Sequence, residues 1–375
     1  MRPSARWVPN VDEMTSAPAV SPTALVVGAT GIAGRALCEE LLHHGWTVLG
    51  LSRRAPVELP GVTPVLADLT DAAALTAALG GHAPTHVFIT AWARQATEAE
   101  NIEVNGGIVR DVLAAVRPAG SVQHVALVTG LKHYLGPFEA YGAGDVPDTP
   151  FHEDEPRLPY PNFYYAQEDE LWEAAERNGF TWSVHRAHTV IGYAVGNAMN
   201  MGQTLAVQAA VCRETGQPFV FPGSRTQWNA LTDMTDAGIL AEQMHWAATT
   251  PAARNLAFNI ANGDVFRWRW MWPRLAKALG VEPVGFEGAP RPLEEQMVGA
   301  EPVWTALAER EGLREKDLGR VASWWHTDGD LGRDIECLTD MTRSRAAGFT
   351  AYRSTLASFL DLFARLDREG VVPAP

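Results

Sequence analysis

The sequence predicts an α/β protein of the Rossmann type, with a doubly wound parallel sheet and a smaller, mainly helical region that caps it. Short apolar segments alternate with segments of helical spacing through the first half of the chain, which is the pattern of parallel βα units. A glycine-rich stretch at 28–34 (GATGIAG) stands between the first apolar segment and the first helical one. Beyond about residue 195 the alternation ends and the chain is predicted to be mostly helical.

The individual elements follow from local periodicity and from glycine and proline positions. Continuous apolar runs indicate strands buried on both faces, and spacing of three and four residues indicates helices. The predicted strands are residues 24–27, 47–51, 62–66, 86–90, 125–129 and 181–185. The predicted helices are residues 32–44, 75–79, 102–116 and 164–178. A loop rich in proline, glycine and aspartate at 136–162 interrupts the series.

Composition and charge limit the classes of function. The chain has 375 residues, is 46% hydrophobic and carries a formal net charge of −14, which disfavours non-specific binding to phosphate backbones or anionic lipid. No apolar run approaches the ~20 residues that span a bilayer. Residues 1–20 are polar and proline-punctuated, so we expect a flexible tail. We therefore predict a cytoplasmic protein that binds neither nucleic acid nor membrane.

Cysteine and histidine spacing gives no sign of a metal site. The three cysteines, Cys38, Cys212 and Cys337, lie far apart and form neither a disulfide framework nor a CxxC pair. The histidines and carboxylates also lack a convincing ligand spacing. We expect no bound metal.

The glycine stretch predicts a binding site for the pyrophosphate of a dinucleotide. Gly28 permits a tight turn, Gly31 lets backbone amides approach the anion, and Gly34 allows the helix to pack closely on the strand. The start of the helix then offers free N–H groups. A purely structural glycine turn is the alternative. The predicted contacts from this turn and from the fourth and fifth strands are Gly28, Thr30, Gly31, Ile32, Gly34, Thr90, Ala91 and Thr129.

The end of the second strand distinguishes the two nicotinamide cofactors. Proteins that prefer NAD usually place a carboxylate about 20 residues after the turn. This chain instead has Ser52, Arg53 and Arg54 there, and arginines bind a 2′-phosphate through charge-assisted hydrogen bonds. We therefore predict NADPH/NADP⁺ as the cofactor. Asp68 and Leu69, after the third strand, are predicted to border the adenine, although an exposed turn aspartate is the alternative.

Lysine usage points to a candidate catalytic cation. Of the 30 lysines and arginines only Lys132, Lys277 and Lys316 are lysines. Lys132 follows the fifth strand, at the edge where doubly wound sheets bind ligands, and an ammonium supplies a compact charge that arginine cannot. We interpret it as a group beside the nicotinamide ribose; a surface lysine is the alternative. The usual Tyr-x-x-x-Lys pair of short-chain reductases is absent, because none of the seven tyrosines is followed by lysine at the fourth position; after Tyr164 that position is Glu168.

Several long motifs, in order along the chain, carry a family resemblance. They are 85–88 (THVF), Trp92, 100–101 (EN), 128–139 (VTGLKHYLGPFE), 162–169 (NFYYAQED), 259–266 (NIANGDVF), 301–304 (EPVW) and 324–325 (WW). With these motifs the chain resembles the progesterone 5β-reductase/iridoid synthase-like family, atypical extended short-chain reductases that reduce activated C=C bonds. The likeness covers nearly the whole chain from the glycine turn onward. One departure is Ala187, where the family usually has proline after His-Arg.

The resemblance implies residue roles at the site. Lys132 matches the family's catalytic lysine and Tyr164 its catalytic tyrosine. Tyr164 would stabilise the enolate formed when hydride adds to an enone or enal, and Lys132 would support the cofactor and the tyrosine. The family's aromatic pocket implies candidate substrate contacts at Trp92, Phe138, Tyr141, Asn200 and Phe349.

The resemblance also implies the division of the chain and leaves alternatives open. We expect an NADP-binding domain over 21–195, to which a segment at about 231–263 returns, and a mainly helical substrate-binding domain over 196–230 and 264–375. A carbonyl reductase or alcohol dehydrogenase could use the same tyrosine and lysine. A catalytically silent NADP(H) sensor is the alternative outside the enzymes. A homodimer is the assembly we consider.

Overall fold

The computed structural model describes residues 21–55, 59–137, 148–197 and 199–375. The predicted tail at 1–20 and two predicted substrate contacts, Phe138 and Tyr141, lie outside these residues. Within the described residues, no helix combines the length and the apolar character needed to cross a membrane.

A parallel seven-stranded sheet forms the centre of the molecule. Its strands, with the four strands of two small parallel pairs, are β1 (Thr23–Val27), β2 (Thr47–Ser52), β3 (Val62–Leu66), β4 (His86–Ile89), β5 (His124–Gly130), β6 (Thr181–Ala187), β7 (Val190–Ile191), β8 (Phe219–Val220), β9 (Thr235–Asp236), β10 (Leu256–Ile260) and β11 (Pro283–Val284). The order across the sheet is β10-β6-β5-β4-β1-β2-β3, so the chain winds in both directions from β1. This order confirms the predicted doubly wound fold and places the switch point, where such sheets bind ligands, between β1 and β4.

Helices cover both faces of the sheet and build the C-terminal region. They are α1 (Ile32–His43), α2 (Ala72–Leu79), α3 (Glu98–Val116), α4 (Lys132–Leu135), α5 (Phe163–Asn178), α6 (Met201–Thr215), α7 (Arg225–Asn229), α8 (Ala237–Thr249), α9 (Trp268–Ala278), α10 (Leu293–Gln296), α11 (Ala300–Glu311), α12 (Leu318–Val321), α13 (Trp324–Leu331), α14 (Thr342–Ala346) and α15 (Thr355–Arg368). The mainly helical character predicted for the second half is therefore confirmed.

Side-chain caps explain where the helices nearest the sheet edge begin. Asp71 accepts hydrogen bonds from two backbone N–H groups, so α2 begins three residues before the predicted start at residue 75. Thr97 and Glu100 form a reciprocal capping box at the start of α3. Asn162 accepts from the N–H of Tyr164 at the start of α5. These caps fix the helix ends that face the candidate site.

The apolar core is divided by the sheet. One cluster, with Val112 of α3 and Leu171 of α5, fills the face covered by α2, α3 and α5. A second, with Leu37 of α1 and Met244 of α8, fills the opposite face. A third lies among the C-terminal helices around three fully buried tryptophans, Trp268, Trp272 and Trp304. Burial of this kind, worth roughly 25 cal/mol per Å² of apolar surface, holds the C-terminal helices to one another.

Candidate active site

The glycine stretch forms the turn between β1 and α1 at the carboxyl edge of the sheet. Gly28 has a φ of +89°, a backbone conformation that favours glycine, and a methyl group there would lie 2.6 Å from the Cβ of Ala91. Gly31 donates its N–H to the carbonyl of Gly28 over 2.9 Å and precedes the first residue of α1. A side chain at Gly34 would overlap that same carbonyl. Gly28 is therefore required by its positive φ and Gly34 by the close approach of backbone, whereas a methyl group on Gly31 would lie 3.3 Å from the carbonyl oxygen of Gly28.

The remaining residues of this turn differ in their exposure. Thr30 is exposed at the tip of the turn, whereas Ile32 is buried under α1. Thr90, directly after β4, donates its hydroxyl to the carbonyl of Val27 over 2.8 Å. Thr90 and Ala91 thus pack against the turn from the other side of the switch point.

The second strand ends in two exposed arginines. Ser52 is buried and donates its hydroxyl to the carbonyl of Arg54 over 2.5 Å, which shapes the chain as it leaves β2. The side chains of Arg53 and Arg54 are exposed at the carboxyl edge of the sheet. Two exposed cations at this position can bind a phosphate group.

Asp68 lies close to these arginines on the adjacent strand connection. Its carboxylate accepts from the N–H and the hydroxyl of Thr70, at 3.0 and 2.8 Å. These hydrogen bonds, with a smaller contribution from Arg53, hold the pKa of Asp68 below its ordinary value. Leu69 is partly buried beside it. Asp68 is therefore an anchored anion at the rim of the candidate adenine site.

Thr129 offers a test of whether this edge suits a dinucleotide. It is buried near the end of β5, and its Oγ1 has no hydrogen-bond partner among the described residues. A buried hydroxyl without a partner is costly unless a ligand or water satisfies it. Together with the close backbone approach at Gly28 and the cations at Arg53 and Arg54, this open hydroxyl fits a phosphorylated dinucleotide.

Lys132 begins α4, directly past the end of β5, and its side chain is buried. Its Nζ lies 3.8 Å from Oε2 of Glu98 and 4.8 Å from the centre of the Phe163 ring. Its carbonyl accepts a hydrogen bond of 2.7 Å from the amide of Asn162. The ammonium is therefore surrounded by a carboxylate from α3 and an aromatic face from α5.

Tyr164 lies in the first turn of α5 and reaches the end of β5. A methyl group on Gly130 would lie 3.3 Å from its hydroxyl oxygen and 2.9 Å from the carbonyl oxygen of Ala187. Because Gly130 has no side chain, the Tyr164 phenol can pack against the end of β5, two residues before Lys132. Burial, and then the charges of Glu98 and Asp330, raise the pKa of the Tyr164 phenol well above its ordinary range.

Asn162 joins the backbones that carry these two residues. Its amide nitrogen donates to the carbonyl of Lys132 over 2.7 Å, while its amide oxygen accepts from the N–H of Tyr164 over 3.0 Å. One buried side chain therefore sets the distance between α4 and the start of α5. The sequence analysis did not identify this role, although asparagine before a helical segment is a signal for a cap.

Glu168 occupies the position where most short-chain reductases have the catalytic lysine. Its carboxylate lies 2.9 Å from Nη2 of Arg157 and 3.7 Å from Nη2 of Arg186. Burial raises its pKa, and the two arginines oppose that effect. The residue four positions after Tyr164 is thus engaged in a structural ion-pair network, which leaves Lys132 as the cation nearest in sequence to the end of β5.

The described substrate candidates do not converge on one pocket. Trp92, after β4, stacks on Phe163 with ring centres 5.0 Å apart, beside the Lys132 ammonium. Asn200 caps α6, and both ends of its amide are used, since it accepts from Gln203 N–H and donates to a carbonyl of the preceding loop. Phe349 packs against Trp246 within the core below the sheet. Of these three, only Trp92 lies against the Lys132 and Tyr164 region.

A polar cluster from the C-terminal half approaches the site, and sequence reasoning missed it. His188, just after β6, lies 2.7 Å from Asp233 and 3.2 Å from Arg333. Asp330 of α13 accepts from the hydroxyl of Thr189 over 2.9 Å, and its charge acts on the Tyr164 phenol. These residues are separated by up to 145 positions, so no local pattern brings them together.

One group of metal-ligand types occurs on the face covered by α1 and α8. Donor atoms of Glu40, His44 and His245 lie within 4.8 Å of one another. The two imidazole rings stack with centres 4.1 Å apart and planes 24° apart, so their nitrogen lone pairs run side by side instead of converging. The arrangement is that of a hydrogen-bonded surface cluster, since His44 lies 3.0 Å from Glu40.

Comparison with known proteins adds independent information on this edge. The family described as "NAD dependent epimerase/dehydratase family" matches residues 24–261. The chain is 40% identical to an (S)-8-oxocitronellyl enol synthase of Camptotheca acuminata, over 93% of each chain. It is 39% identical to the 3-oxo-Delta(4,5)-steroid 5-beta-reductase of Arabidopsis thaliana, over 97% of this chain and 96% of that protein.

Solved structures with the same fold are more distant in sequence. UDP-glucose 4-epimerase of Thermus thermophilus, crystallised with NAD, is 19% identical with a TM-score of 0.63, over 91% of this chain and 99% of the epimerase. The Bordetella bronchiseptica enzyme WbmG, crystallised with NAD and UDP, is 17% identical with a TM-score of 0.64, over 94% and 97%. These similarities support the fold.

Proposed function

The chain belongs to the progesterone 5β-reductase/iridoid synthase-like family of extended short-chain reductases, and from this premise we propose that it is an NADPH-dependent ene-reductase. The reaction is the reduction of the C=C bond of an activated enone or enal by 1,4-hydride addition. The substrates are small molecules in which a carbonyl group is conjugated with the double bond.

One observation carries this proposal: a phenol and an ammonium are held at the end of β5, at the same carboxyl edge of the sheet as the glycine turn after β1. The Tyr164 hydroxyl packs on Gly130, and Lys132 follows two residues later. The Asn162 amide connects the backbones of both. Such a pair can stabilise a developing oxyanion and orient a ribose at once.

The cofactor part of the proposal rests on the chemistry of the donor set. The turn at 28–34 would hold the pyrophosphate, Thr129 would donate or accept through its open hydroxyl, and Arg53 and Arg54 would bind the 2′-phosphate that distinguishes NADPH from NADH. When bound, NADPH supplies hydride to the β-carbon of the substrate.

Tyr164 acts as a neutral hydrogen-bond donor in this proposal. Negative charge develops on the substrate carbonyl oxygen as the enolate forms, and a donor aimed at that oxygen is worth about 3 kcal/mol. The raised pKa of the phenol supports this role, because the hydroxyl keeps its proton at neutral pH. The saturated carbonyl product then requires one proton at the α-carbon, which we assign to water.

In this proposal, Lys132 binds and orients the ribose of the cofactor. A buried ammonium just past the end of β5 provides a fixed positive charge for ribose hydroxyls and for the developing enolate. Glu98 and the ring of Phe163 keep that charge at the strand end. The lysine therefore stabilises the transition state without taking part in proton transfer.

Product analysis tests the function directly. We would follow NADPH absorbance at 340 nm with small enones, enals and a steroid enone, and identify products by gas chromatography with mass spectrometry. We expect a saturated ketone or aldehyde. An allylic alcohol would instead support a carbonyl reductase or alcohol dehydrogenase, and NADPH binding without turnover of any substrate would support an NADP(H) sensor.

The remaining features of the proposal concern the protein as a whole. A cytoplasmic location is supported by three cysteines that are all buried and unpaired, as is usual in a reducing compartment.

We also propose the division into an NADP-binding domain over 21–195 and 231–263 and a substrate-binding domain over 196–230 and 264–375. Size-exclusion chromatography with light scattering tests the proposed homodimer.

A further inference from the structure

Glu98, at the first position of α3, contacts both elements that carry the candidate catalytic pair. We propose that Glu98 is a positioning residue for the ene-reductase reaction, one that sets the place and charge of Lys132 and the start of α5. This inference rests on the proposed function for its catalytic meaning. The contacts on which it depends are present in the structure whatever the reaction.

The two carboxylate oxygens of Glu98 have different partners. Oε1 accepts a hydrogen bond of 2.7 Å from the backbone N–H of Phe163. That N–H belongs to the first turn of α5, where backbone donors have no partner within the helix. Oε2 lies 3.8 Å from Nζ of Lys132. Since Phe163 directly precedes Tyr164, one side chain from α3 holds the lysine through its charge and the tyrosine through its backbone.

Burial makes the charge of Glu98 effective. The side chain is 13% exposed and that of Lys132 is 6% exposed, so the pair is only weakly screened by water. Charged groups that act on this region include Glu98 from α3, Asp330 from α13 and the Lys132 ammonium itself. The carboxylate favours the protonated lysine and disfavours an ionised Tyr164.

A neighbouring glutamate provides a natural contrast. Glu100, in the same first turn of α3, accepts the N–H of Thr97 over 3.1 Å and completes the capping box. The Glu100 carboxylate is therefore bonded at the start of its own helix, whereas both contacts of Glu98 are to residues outside α3. Since glutamine also fits a capping box, Glu100→Gln is a matched control that removes one charge from the same turn.

The sharpest variant is Glu98→Gln. It retains an oxygen that can accept from Phe163 and removes the charge that faces Lys132. If Glu98 acted only as a cap for α5, Glu98→Gln would behave as wild type and only Glu98→Ala would lose activity. If Glu98 positions through charge, Glu98→Gln already changes the ionisation of Lys132.

The low lysine content allows Lys132 to be observed without any turnover. Competitive acetylation with acetic anhydride, quantified by mass spectrometry, compares the reactivity of Lys132 with that of exposed Lys277 in the same molecule. At pH 8 we expect the ratio of Lys132 to Lys277 labelling to rise several-fold in Glu98→Gln and to stay at the wild-type value in Glu100→Gln. An unchanged ratio in Glu98→Gln overturns the proposal.

Kinetics provide the second readout. We expect the alkaline limb of the kcat pH profile to move to lower pH by about one unit in Glu98→Gln, because loss of an adjacent opposite charge lowers the pKa of a cation. kcat at pH 7 should fall about tenfold and further in Glu98→Ala, as expected for misplaced catalytic groups. An unshifted limb overturns the catalytic role. A wild-type enzyme that reduces no enone refutes the proposed function alone, since the labelling ratio still decides the contact of Glu98 with Lys132.

Discussion

Both the amino and the carboxyl edge of the seven-stranded sheet bury polar side chains, but the hydrogen bonds of these side chains are completed differently. At the amino edge, His86 and His124 begin β4 and β5 and lie side by side in the sheet. Both nitrogens of His124 have partners, Thr181 at 2.9 Å and Ser183 at 3.0 Å. At the carboxyl edge, Oγ1 of buried Thr129 has no partner among the described residues.

The difference separates structural from functional polar groups. A buried group whose hydrogen bonds are complete within the protein stabilises the fold and has little left to offer a ligand. A buried polar group that lacks a hydrogen-bond partner destabilises the folded protein, and a ligand that supplies the partner restores that stability. Changes at the carboxyl edge should therefore affect turnover and cofactor affinity, whereas changes at the amino edge should affect stability alone.

Removal of the Tyr164 hydroxyl should have the largest effect. We expect Tyr164→Phe to lower kcat by on the order of 10²-fold, because the enolate loses its hydrogen-bond donor. The dissociation constant of NADPH, measured by fluorescence, should stay unchanged. Tyr352→Phe, at a side chain that is 60% exposed, is the control. Turnover of Tyr164→Phe at the wild-type rate would remove the phenol from the mechanism.

Removal of the two arginines after β2 should have the second-largest effect. We expect Arg53→Ala with Arg54→Ala to weaken NADPH binding by roughly 10- to 100-fold, the loss of one or two charge-assisted contacts to the 2′-phosphate. NADH binding should not change, because NADH lacks that phosphate. Arg117→Ala with Arg177→Ala, both at exposed positions, is the control for the loss of two positive charges. An equal loss for both cofactors would show that the arginines do not select between them.

Two glycines, one before β5 and one at its end, sharpen the comparison further. In Gly130→Ala the added methyl group meets the Ala187 carbonyl and the Tyr164 hydroxyl, so we expect kcat to fall about tenfold. In Gly120→Ala the methyl group meets no atom within 4 Å, but the φ of +62° is strained. That variant should lose about 1 kcal/mol of stability and retain its kcat. Steady-state kinetics and urea denaturation distinguish the two, and equal kcat values would contradict the comparison.

The smallest effect is expected from the amino-edge histidines, and it concerns stability instead of turnover. Burial lowers the pKa of His124 to about 3 and that of His86 to about 4, below the unfolded value of 6.5. The unfolded chain therefore binds more protons than the native one as the pH falls through 6.5, and stability is lost on acidification. Each such histidine should cost about 1 kcal/mol between pH 7.5 and 6.

Replacement of one of these imidazoles isolates its contribution. On acidification from pH 7.5 to 6, the free energy of unfolding measured in urea should decrease in both proteins. We expect the decrease to be about 1 kcal/mol smaller in His124→Gln than in the wild type. The Michaelis constant for NADPH should be the same in both proteins. An identical pH dependence of stability in the two proteins would mean that His124 is not neutral in the native state.

Local sequence was sufficient for the fold and for the residues nearest the turn. Six of the seven strands of the sheet, the doubly wound fold and the helix that begins near Tyr164 follow from local periodicity, whereas β10 was expected only as part of a returning segment at about 231–263. Gly28 and Gly34 were identifiable because the need for glycine at both positions arises within the turn itself. The start of α2 was missed by three residues, since the Asp71 cap was not considered.

The contacts of the catalytic pair were not predictable because they join distant elements. Glu98 reaches Phe163 across 65 positions, and Thr189 reaches Asp330 across 141. An acidic residue in the first turn of a helix also has an ordinary explanation in the helix dipole, which hides a second role. Phe349 and Asn200 show the converse, since residues suggested by resemblance here serve the core and a helix cap.

The bridge made by Asn162 makes the geometry of the candidate pair depend on a side chain outside the proposed chemistry. Its amide joins the start of α4 to the first turn of α5, across the 29 residues that separate Lys132 from Asn162. Parts of that stretch are themselves packed into the fold, since Phe151 is fully buried and the carbonyl of His133 accepts from the hydroxyl of Tyr165. A replacement at Asn162 would therefore disturb two reacting groups at once without removing either.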